Sequence, residues 1–204
     1  NVAQSTIKGF ELETRFDLPW DMRLDLIGAY IDAQADSGAL TDTRGTDYGD
    51  GTPNFNIDIA GNDLPNVSKV NLNAHLQKTA TLMGGRADFH LLANYRSSYQ
   101  LNIYNELPVI QFVDRPTDPT AQAAYDAFKA SVEGTTINPT APLASPFLRS
   151  TEARDGGFWA RQGGYVTVNL GAGWEPDSGR YRVEAYVNNV FDKTVVEKQL
   201  VSDE

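Results

Sequence analysis

From Tyr165 onward, apolar and polar side chains alternate with a period of two through two successive segments, followed by Asn188-Asn189-Val190-Phe191-Asp192. Val166, Val168, Leu170, Ala172 and Trp174 share one face of the first segment, because successive side chains of a strand point to opposite sides. Tyr165, Thr167, Asn169, Gly171 and Gly173 take the other face. The second segment sets Tyr181, Val183, Ala185 and Val187 against Arg182, Glu184, Tyr186 and Asn188. Folding the two about Pro176–Gly179 predicts Trp174 opposite Tyr181, Ala172 opposite Val183 and Leu170 opposite Ala185, with the apolar faces coinciding. Alternation sustained over about 9–11 residues is the span of a tilted transmembrane strand.

Two further hairpins obey the same rule. Phe10, Leu12, Thr14 and Phe16 face Leu24, Leu26, Gly28 and Tyr30 once the chain turns at Pro19–Asp21, and Arg15 then meets Asp25 on the reverse side. Val70, Leu72, Ala74 and Leu76 match Ala87, Phe89, Leu91, Ala93 and Tyr95, and closure through Thr79–Gly85 predicts Leu76 by Phe89 and Ala74 by Leu91. The expected strands lie near 5–18, 22–33, 67–78, 86–97, 163–174 and 180–191. Short turns alternate with long connections at 33–66 and 97–162, far beyond the usual loop length. Inside the second connection Asp118-Pro119 can start a helix and Gly134 can end it. Ala121, Tyr125, Phe128 and Val132 form its apolar stripe, which we expect to pack against other loops.

The chain has 204 residues and a formal net charge of −10, which argues against a nucleic-acid partner. It contains no cysteine, and no apolar run is long enough for a membrane-crossing helix. A barrel strand escapes that criterion, since only every second residue meets lipid. The apolar faces end in aromatic residues at both rims: Trp174, Tyr181 and Trp20 near the short turns, Tyr30 and Tyr95 near the long connections. Rings with a polar edge gather at bilayer interfaces. The reading is all-β: an antiparallel transmembrane β-barrel, here a fragment of about six strands in three hairpins with long extracellular loops. A soluble all-β binding domain is the alternative, and it predicts folding without detergent.

Ile7-Lys8-Gly9-Phe10-Glu11-Leu12-Glu13 resembles a barrel strand of the TonB-dependent outer-membrane receptors. So do Gly61-Asn62-Asp63-Leu64-Pro65-Asn66 and Val187-Asn188-Asn189-Val190-Phe191-Asp192-Lys193, and the order and spacing of the blocks are similar to the last third of such a barrel. The resemblance marks Gly9, Glu11, Leu64, Pro65, Asn188, Asn189, Phe191 and Asp192 as structural signature positions. It implies a barrel of roughly 22 strands closed by a plug, importing a scarce nutrient (siderophore-bound iron, cobalamin, haem or an oligosaccharide) with energy passed by TonB. The implied partners are outer-membrane lipid and lipopolysaccharide, the receptor's own plug, the TonB complex acting through that plug, and the small-molecule ligand. Plug and final strand are missing here, so the chain is expected to be the carboxy-terminal part of a longer receptor. A passive porin-type channel shares the strand pattern and would lack the plug.

Little suggests catalysis: no nucleophile elbow, phosphate-binding glycine loop or paired catalytic carboxylates occur, and no resident cofactor is expected. His75 and His90, the only histidines, are predicted to oppose each other on the polar face; two imidazoles without a carboxylate or thiolate make a poor metal site. Asp47 and Asp50 lie in a stretch with the oxygen density of a calcium loop, yet its spacing fits no EF-hand. For ligand capture at the extracellular side the candidates are Tyr48, Tyr99, Tyr104, Arg115, Phe158, Trp159 and Arg161. Aromatic faces stack on sugars and flat chelates, and arginine grips carboxylates; the plainer role for any one of these residues is packing loops together.

Overall fold

The computed structural model describes residues 4–41, 55–143, 145–151 and 161–196. In chain order its strands are β1 (Gln4–Leu18), β2 (Met22–Ser37), β3 (Ala39–Thr41), β4 (Asn56–Asp58), β5 (Val70–Thr81), β6 (Gly85–Arg96), β7 (Tyr99–Gln100), β8 (Val109–Phe112), β9 (Thr136–Ile137), β10 (Leu148–Thr151), β11 (Arg161–Gln162), β12 (Tyr165–Pro176) and β13 (Val183–Val187). Helix α1 (Pro119–Ser131) lies between β8 and β9. One open antiparallel sheet takes the order β1-β2-β5-β6-β12-β13, three hairpins laid side by side.

The β1–β2 register is the predicted one, with Phe16 on Leu24, Thr14 on Leu26 and Phe10 on Tyr30. Gly9 faces Ile31, where a Cβ would run into the Tyr30 carbonyl oxygen, so the strand pair closes only with glycine there. The other two hairpins are displaced by two residues from expectation. Leu76 opposes Leu91 and Ala74 opposes Ala93. The cause is a turn of two residues, Met83-Gly84, closed by reciprocal Leu82–Gly85 hydrogen bonds of 2.9 and 3.1 Å, where a longer loop was predicted. In the last hairpin Trp174 opposes Val183, Ala172 opposes Ala185 and Leu170 opposes Val187. There β12 runs on to Pro176, the Gly179 N–H donates to the Pro176 carbonyl at 2.8 Å, and pairing resumes only at Val183. Both displacements are even, so every side chain keeps its face.

Of the strand predicted over 180–191, regular pairing covers only Val183–Val187, after which a single backbone bond from Val190 N–H to the Val168 carbonyl at 2.8 Å keeps the chain against β12. Asn189 and Asp192 both have φ of +49°, which breaks the extended path. Asn189 then brackets the bend: its side chain accepts from Lys193 N–H at 3.0 Å and donates to the Lys193 carbonyl at 3.1 Å. Conversely, β2 outlasts its predicted end because Gly61, Asn62 and Leu64 bond to the backbone of Ala33 and Ala35, giving its upper end a second partner.

One apolar row, Phe16–Leu24–Leu76–Leu91–Leu170–Val187, crosses all six sheet strands. Among the described residues none covers this face: Phe10 is 68% exposed and Leu12 62%. The buried core lies instead in the connections. Phe55, Ile57, Ile110, Phe112 and Tyr125 form it, with Phe128, Val132, Ile137, Phe147 and Leu148 packed around them. Helix α1 lends Tyr125, Phe128 and Val132 of its predicted stripe to that core, though not Ala121, and its first turn is capped by Asp118, whose carboxylate accepts from Ala121 N–H at 2.9 Å.

Candidate functional site

The polar face of the sheet carries a ladder of ion pairs and hydrogen bonds from β1 to β6. Arg15 Nε donates to Asp25 Oδ1 at 2.5 Å, and Arg23 Nε approaches Asp25 Oδ2 at 3.5 Å. Arg23 Nη2 donates to Gln77 Oε1 at 2.5 Å, and Gln77 Nε2 lies 3.1 Å from His75 Nδ1. Because a guanidinium can only donate, the Gln77 amide must turn its oxygen to Arg23 and its NH2 to His75. Beyond it His75 Nε2 lies 3.3 Å from His90 Nδ1. The two histidines are not directly opposed as predicted. His75 faces Leu92 and His90 faces Gln77, and the rings meet diagonally with centroids 5.5 Å apart. Among the described residues no three His, Cys, Asp or Glu gather as a metal site. Nearer the short turns Arg182 binds Asp88 at 2.7 Å and Glu184 at 2.5 Å, and Arg86 adds a second contact to Asp88 at 3.2 Å.

At the other end of the sheet the Gly61–Asn66 segment straps the connections together. Leu64 N–H donates to the Ala33 carbonyl, Asn66 N–H to the Gln100 carbonyl, and the Asn62 side chain to the Ile103 carbonyl. Pro65, with no N–H, sits between two of these bonds. Lys69 ties the strap to β2, reaching Asp63 at 3.0 Å and Asp32 at 3.5 Å. The hydrogen bond to Asp63, helped by the charges of Asp63 and Asp32 and opposed by burial, raises the Lys69 pKa above its ordinary value. A raised pKa means that the stabilisation is complete below the unfolded lysine value and fades as pH climbs through the folded one. Lys69→Met should accordingly lower the melting temperature by a constant amount from neutrality up to about pH 10. The two proteins should converge above that. A gap that persists at strongly alkaline pH would show that the Lys69 charge is not what holds the strap.

The predicted ligand residues that fall within the described chain do not form one cluster. Tyr99 and Arg161 are brought together by the β7–β11 ladder, in which Gln162 pairs with Tyr99 and Arg161 with Gln100. Tyr99 is buried; its hydroxyl donates to the Val196 carbonyl at 3.2 Å, and Arg96 lies over its ring at 5.0 Å. Arg161 Nη2 donates to Ser98 Oγ at 2.5 Å. Tyr104 sits apart, with its hydroxyl on the Thr41 carbonyl at 2.8 Å, and Arg115 grips Asp126 of α1 through two bonds of 3.1 and 2.5 Å. Tyr48, Phe158 and Trp159, and the calcium candidates Asp47 and Asp50, lie outside the described residues. Of the signature positions, Glu11 is exposed on the polar face opposite Ala29, Asn188 follows β13, and Phe191 is 72% exposed beyond the Asn189 bend.

Lys69 and the strand residues of the connection core went unread in the sequence, where only the helix stripe was read. The period-two run Phe55, Ile57, Ile59, each fully buried, was the available signal.

A family model described as TonB dependent receptor-like, beta-barrel matches residues 1–190. Among solved structures, the crystal structure of the ferric yersiniabactin uptake receptor FyuA from Yersinia pestis aligns with a TM-score of 0.54 and 16% identity, a likeness of fold. The alignment covers 98% of this chain and 20% of that one, so the chain spans a small part of that receptor's length. No curated protein matches.

Proposed function

Because this chain belongs to the TonB-dependent receptor β-barrel family, we propose that it is one arc of an outer-membrane active transporter and bears part of its ligand-capturing surface. The observation that carries this reading is the division of the six-stranded sheet. An uncovered apolar face runs across every strand, and a hydrogen-bonded polar ladder backs it. Apolar rows suit lipid and lipopolysaccharide chains, and the polar ladder suits a wet lumen occupied by the plug through which the TonB complex would act. The connections, held by the strap and the aromatic core, would stand outside the cell and present Tyr48, Tyr104, Arg115, Phe158, Trp159 and Arg161 to a nutrient. Tyr99, buried in β7 with its hydroxyl on the Val196 carbonyl, would position that surface from beneath. A siderophore-bound iron, haem, cobalamin or oligosaccharide fits the chemistry of aromatic faces and guanidinium groups, and the reaction is transport rather than bond making.

The test uses the full-length receptor in cells with and without TonB, supplied with members of those four ligand classes. Accumulation of one of them should require TonB. Trp159→Ala and Arg161→Ala, inserted normally, should each weaken its binding about ten-fold, or 1.4 kcal/mol. Uptake that persists without TonB would instead mark a passive channel, and full affinity in both variants would remove these residues from the binding surface.

A further inference from the structure

We propose that the two long connections are one body before any ligand arrives, and that a nutrient is taken up without their parting; the proposal rests on the transport reading above. The first connection, between β2 and β5, and the second, between β6 and β12, are separate excursions of the chain and could have stood as independent lids. Backbone pairing joins them instead. β3 and β4 of the first form one three-stranded sheet with β9 of the second. Within it β4 and β9 run parallel, with Asn56 beside Thr136 and Ile57 beside Ile137, and the Asn56 N–H donates to the Thr135 carbonyl at 2.8 Å.

Packing repeats that union. Phe55 and Ile57 of the first connection are fully buried, and the cluster that holds them is Ile110, Phe112 and Tyr125 of the second. The Phe55 and Phe112 rings meet edge-on at 5.5 Å. Parting the connections would bare both sides of this contact to water. Two more ties lie outside the cluster. The Tyr104 hydroxyl donates to the Thr41 carbonyl at 2.8 Å, and Asn66 N–H donates to the Gln100 carbonyl at 2.8 Å. The joined body is also fixed to the barrel wall, since Ala35 N–H of β2 donates to the Asn62 carbonyl at 2.9 Å and Gly61 N–H to the Ala35 carbonyl at 2.7 Å. Segments that open on their own have few buried apolar contacts, and these have many. Tyr104, and Arg115 on Asp126 of α1, are therefore presented on a surface already assembled, which spares the ligand the cost of ordering it.

The experiment uses full-length receptor in cells, otherwise free of cysteine, carrying Asn56→Cys with Thr136→Cys. These residues are register partners on adjacent strands, a spacing that a disulfide can span. Ser68→Cys with Ser97→Cys, whose hydroxyls lie 3.1 Å apart beside the paired ends of β5 and β6, is the control tether. Cells are supplied in turn with haem, cyanocobalamin, a ferric catecholate and a linear glucose oligosaccharide, and the reduced receptor is the reference for each pair. The first pair should oxidise readily in ligand-free receptor, and TonB-dependent accumulation should be the same oxidised as reduced. Loss of accumulation on oxidation, restored by reductant and absent from the control tether, would overturn the proposal, because the connections would then have to part. A pair that oxidises only once a probe is bound would overturn it too. Accumulation that ignores TonB in the receptor without cysteines would strike the transport reading instead, while ready oxidation would leave the joined connections standing.

Discussion

Tyr125→Ala should destabilise the connection core by about 3–5 kcal/mol while leaving the six-stranded sheet in place. Tyr125 is fully buried on α1. Its ring meets Phe112 of β8 edge-on at 5.9 Å and Phe147, ahead of β10, at 5.5 Å. Truncation removes the helix's one fully buried ring, leaving Phe128 as its remaining ring contact to Phe112 and Phe147, and opens a cavity among rings too stiff to close it. The hydroxyl, which donates to the Val113 carbonyl at 3.2 Å, is the smaller part. Tyr125→Phe keeps every ring contact and should cost about 1 kcal/mol. Hydrogen exchange in the full-length receptor separates the cases: β8 and α1 should lose protection in the alanine variant, while β5 and β6 keep theirs. Equal loss in the two variants would mean that the hydrogen bond, not the packing, holds the core. Unchanged exchange in β8 and α1 would mean that the helix is held by something other than this cluster. Ligand affinity should fall with the alanine variant, because Arg115 reaches its surface position through Asp126, one residue along the same helix.

What could be read from the chain followed the range of the interactions that set it. The β1–β2 register came out residue for residue because a local turn fixes it and Arg15–Asp25 lie directly across, 2.5 Å apart. Faces were readable in all three hairpins, since burial or lipid exposure selects every second residue whatever the register. Register itself failed twice. Met83-Gly84 does not look like a two-residue turn, and Pro176 was taken as a turn residue although it ends β12. Helix α1 was readable from its cap and stripe, both local. The architecture of the connections was not, because its pairings are distant in sequence: Asn56 lies beside Thr136 in parallel, and Leu148 beside Phe112. No local period announces such pairings. The histidines illustrate both cases, placed on the right face and two residues out of register, yet still in ring contact across the diagonal.

The same face argument yields the second large effect, a contrast between adjacent residues. Leu91 sits midway along β6 between the rims at Trp174 and Tyr95, flanked on the apolar row by Leu76 and Leu170. Leu92 points the other way, between His75 and Asn169. An arginine on the lipid face at the bilayer centre costs about 2–4 kcal/mol, whereas one in a wet lumen keeps most of its solvation. Leu91→Arg should therefore shift the denaturant midpoint for folding of the full-length receptor into lipid vesicles by an amount of that order. Leu92→Arg should shift it far less, since a charge on the polar face of a wide barrel stays in water. A soluble half-buried sheet gives the same order, because its apolar face would be the core and its polar face the surface in water. The magnitude at Leu91 alone cannot separate these cases, as an arginine is costly in either apolar setting. The separation comes from detergent: if Leu91→Arg is as destabilising in water without lipid as in vesicles, the apolar face packs on protein and the barrel reading fails. If the wild-type receptor folds only with lipid or detergent and the Leu91 penalty appears there, the apolar row faces the bilayer.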